Sequence, residues 1–447
     1  MARRRFTKVV LVAGLVAAFA AAVALGGRAR PRSPGAASVM RPTYYQDVRP
    51  ILEGRCAGCH RVGGIAPFSL RSYHSASLHR QDIVYAVTRR LMPPWLAEPG
   101  FQRYRLDPSL TKSQIALIRR WVAQGARAGN AGQKRRALPS TVPPGVSRVD
   151  ARVPINAAYT PRGSDDFRCF VTRWSPSRRS YIAGFNVRPG QPSEVHHLSV
   201  FLVDAAEAAQ LERLDAANPG PGYPCFGVDT GDFVLERDAQ RVGGWLPGSI
   251  GGDFPPGTGL LVEPGRRLVF EIHYNVEHTN PKPDRTVGEI KLASSVRRQF
   301  GAITLNGQPN EPIPAGAKDY AYSMTASPSQ LPVTGDLDLS RRLLIYGAGL
   351  HMHMFGTRGR VELVKPDGRS EVLLSIKHWM FQWQMGYVFK QPLPLAEGDR
   401  IRVECHYDNS ASNQPVVNGQ SHAPRPIEWG GRASNEMCNA FLFLVEP

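Results

Sequence analysis

Beyond residue 25 the sequence lacks any apolar run long enough to cross a bilayer as a helix, which excludes a multi-span helical membrane protein. It also lacks an internal repeat and any low-complexity tract. Acidic residues are in deficit, 37 against 55 basic ones, for a formal charge of +18. Such a balance suits nucleic acid, an anionic membrane surface or an acidic redox partner. Nucleic acid is disfavoured by a further absence. Several basic residues crowd the first 32 positions and the rest are scattered, without the basic and aromatic interleaving of a strand-binding groove. Cysteine is sparse, six in 447 residues, and only Cys56 and Cys59 form a close pair, with two residues between them. No second such pair exists to complete a tetrahedral zinc site.

Glycine (43) and proline (38) are abundant, which favours many turns and short strands over a helical bundle. An apolar fraction of 42% is ordinary for a globular chain, and 447 residues exceed a single core, suggesting roughly three folded units. The N-terminus carries Arg3, Arg4, Arg5 and Lys8 before an uncharged apolar run over residues 9–25. That pattern is an export signal, and its length is at the lower limit for a retained membrane anchor. Arg3-Arg4-x-Phe6 is similar to a twin-arginine signal, which would imply export of a folded chain, although export of the unfolded chain is the preferred reading. The expected location is periplasmic or otherwise extracytoplasmic.

Residues 1–38 are thus signal or anchor plus a Pro, Gly and Arg linker. A helical period runs over 40–129. Residues 44–52 lead into the cysteine pair, 81–91 are amphipathic, and 111–124 begin at Thr111 as N-cap and stack Ile115, Ile118 and Val122 on one face. Residues 130–149 read as a polar, basic linker. From 150 onward the period becomes two, with β-branched segments between Gly and Pro turns, as in sandwich or jelly-roll domains. About 300 residues is long for one sandwich, so the region divides into 150–298 and 299–447. The fold class expected is mixed: a small all-α domain followed by two all-β sandwich domains. The dispersed cysteines Cys169, Cys225, Cys405 and Cys438 read as disulfides in an exported chain.

Cys56-Ala57-Gly58-Cys59-His60 has the spacing for covalent haem: two thiols add to the vinyl groups and the adjacent histidine takes one axial position. A thioredoxin-like pair or half a zinc site explains the adjacent histidine less well. Met92, followed by a Pro pair that forces an extended segment, is the candidate distal ligand, with His74 and His79 as rivals. A core methionine is the plain alternative. Segments 65–70, Met92-Pro93-Pro94-Trp95 and 121–126 resemble class I cytochrome c domains of multidomain bacterial proteins.

Five histidines fall in the β region in an ordered way: His196-His197, His273 before Tyr274, and His351-Met352-His353. On a strand His351 and His353 share a face, whereas His196 and His197 diverge unless a strand end or bulge brings them together. Met437 precedes Cys438 and adds a thioether, which favours Cu(I). The order His-His, His-Tyr, His-x-His, Glu-Met-Cys resembles the copper type II, ascorbate-dependent monooxygenases over residues 150–447. That family includes dopamine β-monooxygenase and peptidylglycine α-hydroxylating monooxygenase.

The resemblance implies two copper ions, one held by His196, His197 and His273 for electron transfer, the other by His351, His353 and Met437 for oxygen chemistry. It also implies disulfides pairing Cys169 with Cys225 and Cys405 with Cys438. Where the peptide-hydroxylating members carry an arginine before His-x-His and a tyrosine after the methionine, this chain has Gly349 and Phe441, while Asn439 is kept. Peptidylglycine is therefore not the expected substrate. Residues 372–396 contain no Asp or Glu, against a catecholamine-like cation, but do contain Trp379, Phe381, Trp383 and Tyr387. Those aromatics suit either an apolar substrate pocket or a sandwich core. Electrons are expected to enter at the haem, pass to the first copper and reach the second, where dioxygen hydroxylates a C–H bond of a small organic substrate. A redox partner or small reductant would supply them. The contrasting readings are an electron-transfer or copper-binding protein without turnover, and a reductase serving an inorganic acceptor. Both copper trios being complete, and the lack of a blue-copper His-Cys-His cluster, weigh against them.

Overall fold

The helical period before residue 124 becomes four short α-helices, Arg49–Arg55, Tyr73–Leu78, Arg80–Thr88 and Lys112–Ala123, with a π-helical turn, Tyr44–Val48, ahead of them. The computed structural model describes residues 41–447, apart from 63, 65, 134, 142–144, 163–164, 226–234, 236–238, 246–250, 277–279, 308, 335–336, 418–419 and 431–433. The expected signal or anchor and its linker, 1–38, lie outside the described residues. Among those described, no helix is long and apolar enough to cross a membrane.

Local chemistry sets the limits of the last helix. The Thr111 side chain accepts the Gln114 N–H while the Gln114 side chain accepts the Thr111 N–H, satisfying two otherwise unpaired donors. Gly125, at φ +90°, takes the left-handed conformation that stops the helix. Ile118 and Trp121 from its inner face meet Tyr44, Leu52, Ile83 and Val87 in one apolar core.

Past residue 150 the chain is mostly β-sheet, as the period of two requires. A five-stranded sheet runs in the order Tyr223–Pro224, Asp165–Val171, Arg267–Asn275, Val195–Val203, Gln240–Trp245. It shares a core with Ala151–Pro154, Val287–Ala293, Ser180–Arg188 and Thr258–Val262, including Phe170, Phe185, Phe270 and Ile290. A four-stranded sheet, Tyr320–Ala326, Arg400–Tyr407, Gly356–Val364, Ser370–Ile376, shares a second core with Arg298–Gly307, Cys438–Val445, Leu343–His351 and Gly386–Leu395. The two halves join edge to edge. Arg298 and Gln299 pair in parallel with Thr258 and Gly259, making one continuous ten-stranded sheet.

Residues 95–105 depart from the helical unit in which the sequence reading sets them. Pro93 and Pro94 cannot continue a helix, and the chain runs out onto the second sandwich. Ala97 bridges to Ile376 and Tyr104 to Phe389, and the Tyr104 hydroxyl donates to Leu373 O at 2.9 Å within the core. Both disulfides form in the pairing the resemblance implies: Cys169 with Cys225 and Cys405 with Cys438. Such bonds form and persist in oxidising compartments.

Candidate metal centres

His196 and His197 stand near the start of strand Val195–Val203, and His273 stands on its neighbour Arg267–Asn275. The ladder pairs Val195 with Tyr274 and then His197 with His273, leaving His196 as the extra residue of a bulge. That irregularity is what two adjacent histidines need in order to converge. One ring nitrogen of each of the three lies within 4.8 Å of the others, and His273 Nδ1 is 3.1 Å from His197 Nε2. The His273 ring is braced by stacking on Phe167 at 3.8 Å. Burial, then the neighbouring His273 and His196, hold His197 well below the ordinary histidine range, so its imidazole is neutral and offers a lone pair.

Strand Leu343–His351 ends at its histidine, and His353 follows just beyond it. Met352 between them is buried in the core, so the two imidazoles share the opposite side. Their protons can be assigned from their partners. Gln384 Nε2 donates to Phe381 O at 2.9 Å, which turns Oε1 toward His351 Nδ1 at 2.5 Å. An amide oxygen only accepts, so His351 carries its proton on Nδ1. His353 Nδ1 likewise faces a pure acceptor, Asn435 O, at 3.1 Å. Both Nε2 atoms therefore present lone pairs, and they face each other at 3.1 Å. Two acceptors at that distance repel unless a cation joins them. A proton is disfavoured, because burial and then His353 push His351 down to about 3. A soft or borderline metal ion would resolve the repulsion.

Met437 reaches the same end of the sandwich through the backbone. His351 lies opposite Asn439 across the ladder, and Asn439 Nδ2 donates to Met437 Sδ at 3.4 Å. The Cys405–Cys438 bond anchors the residue after it, and the Tyr407 hydroxyl donates to Met437 O at 2.8 Å. Two imidazoles and a thioether would be a donor set suited to Cu(I), and three imidazoles would suit copper in either oxidation state.

Sequence reasoning missed two supporting residues. Glu436 is fully buried and accepts the N–H groups of His353 (2.8 Å), Phe355 (2.6 Å) and Met437 (3.3 Å), gathering the two loops on one carboxyl group. Burial pushes this carboxyl up to about 8, against the pull of those N–H donors. Its signal was an acid placed directly before the Met-Cys pair. Gln384 carried no local signal at all. Of the aromatics read as pocket or core, Trp379 and Tyr387 are core, with the Trp379 indole N–H donating to His353 O at 3.0 Å. Phe381 instead borders both histidine groups, its ring 5.1 Å from His196 and 6.1 Å from His353. Trp383 is half-buried beside it in the chain. Gly349 lies opposite Phe441, over whose ring Arg241 sits at 5.1 Å.

The Cys-x-x-Cys-His turn follows helix Arg49–Arg55, with the N–H groups of Cys59 and His60 both donating to Cys56 O. Both sulfurs are free, and burial raises Cys56 to about 12 and Cys59 upward, keeping them as thiols. His60 Nδ1 donates to Phe68 O at 3.1 Å, which leaves Nε2 for an axial bond and fits a haem-ligating histidine. Met92 is half-buried, its N–H reaching Ala86 O, which ties it to helix Arg80–Thr88. Of its rivals, His74 is exposed, and His79 stacks on Phe68 at 3.7 Å and faces Asp82 at 3.2 Å.

Residues 301–446 match the family model of the copper type II ascorbate-dependent monooxygenase C-terminal domain. His351, His353 and Met437 all fall inside that match. DBH-like monooxygenase protein 2 of Mus musculus is 23% identical over 232 residues, 49% of this chain and 34% of that protein. The chain thus spans about a third of the length of this curated relative. Among solved structures, the major capsid protein P2 of bacteriophage PM2 has a TM-score of 0.25 at 8% identity, covering 66% of this chain and 97% of that one. An infectious bursal disease virus Gx strain structure has a TM-score of 0.14 at 8% identity, covering 69% of this chain and 75% of that one. Neither value carries a structural argument.

Proposed function

We propose that this chain is an exported copper-dependent monooxygenase that hydroxylates a C–H bond of a small organic molecule, with electrons supplied through its own c-type haem. The observation that carries the reading is the pair of Nε2 lone pairs on His351 and His353, facing each other at 3.1 Å within the residues matched to the copper family. His351, His353 and Met437 would hold one copper, and His196, His197 and His273 the other. Copper, when bound, would supply one-electron redox chemistry toward dioxygen.

The chain's own residues have the remaining work. Gln384 and Asn435 keep both imidazoles in the Nδ1–H tautomer, and Glu436 ties His353 to Met437. Phe381 borders the space beside His196 and His353. No side-chain general base is assigned. Cys56 and Cys59 would join a haem covalently, His60 would ligate its iron and Met92 is the candidate for the sixth position. The group would supply single-electron transfer. Gly349 and Phe441 stand where the peptide-hydroxylating members carry arginine and tyrosine, although Arg241 sits over the Phe441 ring, and Phe381 favours an apolar or aromatic substrate.

The test is metal and product analysis. The purified protein should retain close to two coppers, keep haem through denaturing electrophoresis, and incorporate one atom of isotopically labelled dioxygen into an organic product when reduced. His197→Ala and Met437→His should each abolish that product while retaining haem. A wild-type protein that binds no copper, or a single zinc, sinks the monooxygenase reading. Two coppers without oxygen incorporation leaves an electron-transfer or copper-binding protein.

A further inference from the structure

Residues 95–105 have no part in the reading above, yet they grip both ends of the loop that organises the second histidine pair. At the loop's entry, Ala97 bridges to Ile376, Glu98 N–H donates to Ser375 O, and the Glu98 carboxylate accepts from Ser375 Oγ at 2.6 Å. Gln102 Nε2 donates to Val372 O at 3.1 Å on the same strand. At its exit, the Trp95 ring stands edge-on to Tyr387 at 4.9 Å, and Arg105 N–H donates to Val388 O at 2.7 Å. Between these two clamps lie Trp379, bonded to His353 O, then Phe381, and then Gln384, bonded to His351 Nδ1.

We infer that this strap is a positioning part of the second histidine pair, with Trp95 acting through Tyr387 and Gln384 on His351. The chemistry follows from the tautomers. While Gln384 Oε1 stays within reach, the His351 proton remains on Nδ1 and its Nε2 lone pair is available. If the loop exit slackens, that acceptor is lost. The proton then moves to Nε2, where it forms a hydrogen bond to His353 Nε2, already 3.1 Å away. The pair would satisfy itself and resist a metal ion.

The importance of this strap rests on the copper reading, but the tautomer itself does not. In the copper-free full chain, nitrogen-15 NMR should show His351 protonated on Nδ1. Trp95→Ala should move the proton to Nε2, and Trp95→Phe, which keeps a ring against Tyr387, should restore it. Copper(I) competition with a chromophoric chelator, in a His197→Ala background, should show the second site weakened by roughly 10- to 100-fold in Trp95→Ala, the usual range for losing a ligand's hydrogen-bond partner. The first site, read in a His351→Ala background, should be unchanged. An unmoved tautomer, or equal weakening of both sites, overturns the inference. If Trp95→Ala does not fold, Gln384→Leu removes only the acceptor and must give the same shift; a proton still on Nδ1 there overturns it equally. A tautomer shift in a protein that binds no copper would sink the proposed function while upholding the strap.

Discussion

The copper-free protein should be acid-sensitive through His351. Its ring is held down to about 3 by burial and by His353, against an ordinary value of 6.5. A depressed histidine contributes its full stability above the unfolded value and loses it as pH falls toward the folded one. The window is therefore from about 6.5 down to about 3. Within it the unfolded chain takes up a proton that the folded chain refuses, costing about 1.4 kcal/mol per pH unit. At pH 5 this amounts to about 2 kcal/mol from this one group. His351→Asn is the comparison, since its amide donates to Gln384 but never titrates. Urea unfolding of the copper-free proteins between pH 7.5 and 4.5 stays above most carboxylate titration. The wild type should lose stability faster than His351→Asn, by about 2 kcal/mol at pH 5 relative to pH 7.5. Parallel curves would refute the claim that the pair is buried as two neutral rings.

Two further outcomes follow from the second site. Glu436→Gln leaves one acceptor oxygen for three buried N–H groups and should strand at least that of Phe355, costing about 1–3 kcal/mol, seen as faster hydrogen exchange at His353 or Phe355. Unchanged protection there would mean the carboxyl group is not the clamp. The Cys405–Cys438 bond closes a separation of 33 residues, so Cys405→Ala with Cys438→Ala should cost about 3–4 kcal/mol by chain entropy and lower copper(I) affinity at the second site. A double variant matching the wild type in both would show that neighbouring strands alone hold Met437.

Most of the candidate ligands were legible because their signals are local. Adjacent histidines, His-x-His on a strand and a methionine beside a cysteine are short patterns whose donor chemistry is independent of the rest of the chain. The requirement for a strand end or a bulge at His196-His197 also followed from the alternation of side chains along a strand, and the ladder has an irregularity there. The Thr111 cap and the change of period after residue 150 were readable for the same reason. By contrast, the alternative meanings of Trp379, Phe381 and Tyr387 differ only in what lies across from them.

The sequence by itself determined the residue types: three imidazoles in one group, two imidazoles and a thioether in another, and two thiols beside a histidine. It also determined the shift from helix to sheet, since periodicity is a property of neighbouring positions. Only the tertiary structure decided that Gln384 sets the tautomer of His351, 33 positions away in sequence, and that Glu436 joins His353 to Met437. It also decided that Ala97 and Tyr104 enter the core of the second sandwich. These are contacts between distant segments, made because buried polar groups must find partners wherever the packing brings them, and no local pattern records which partner that will be.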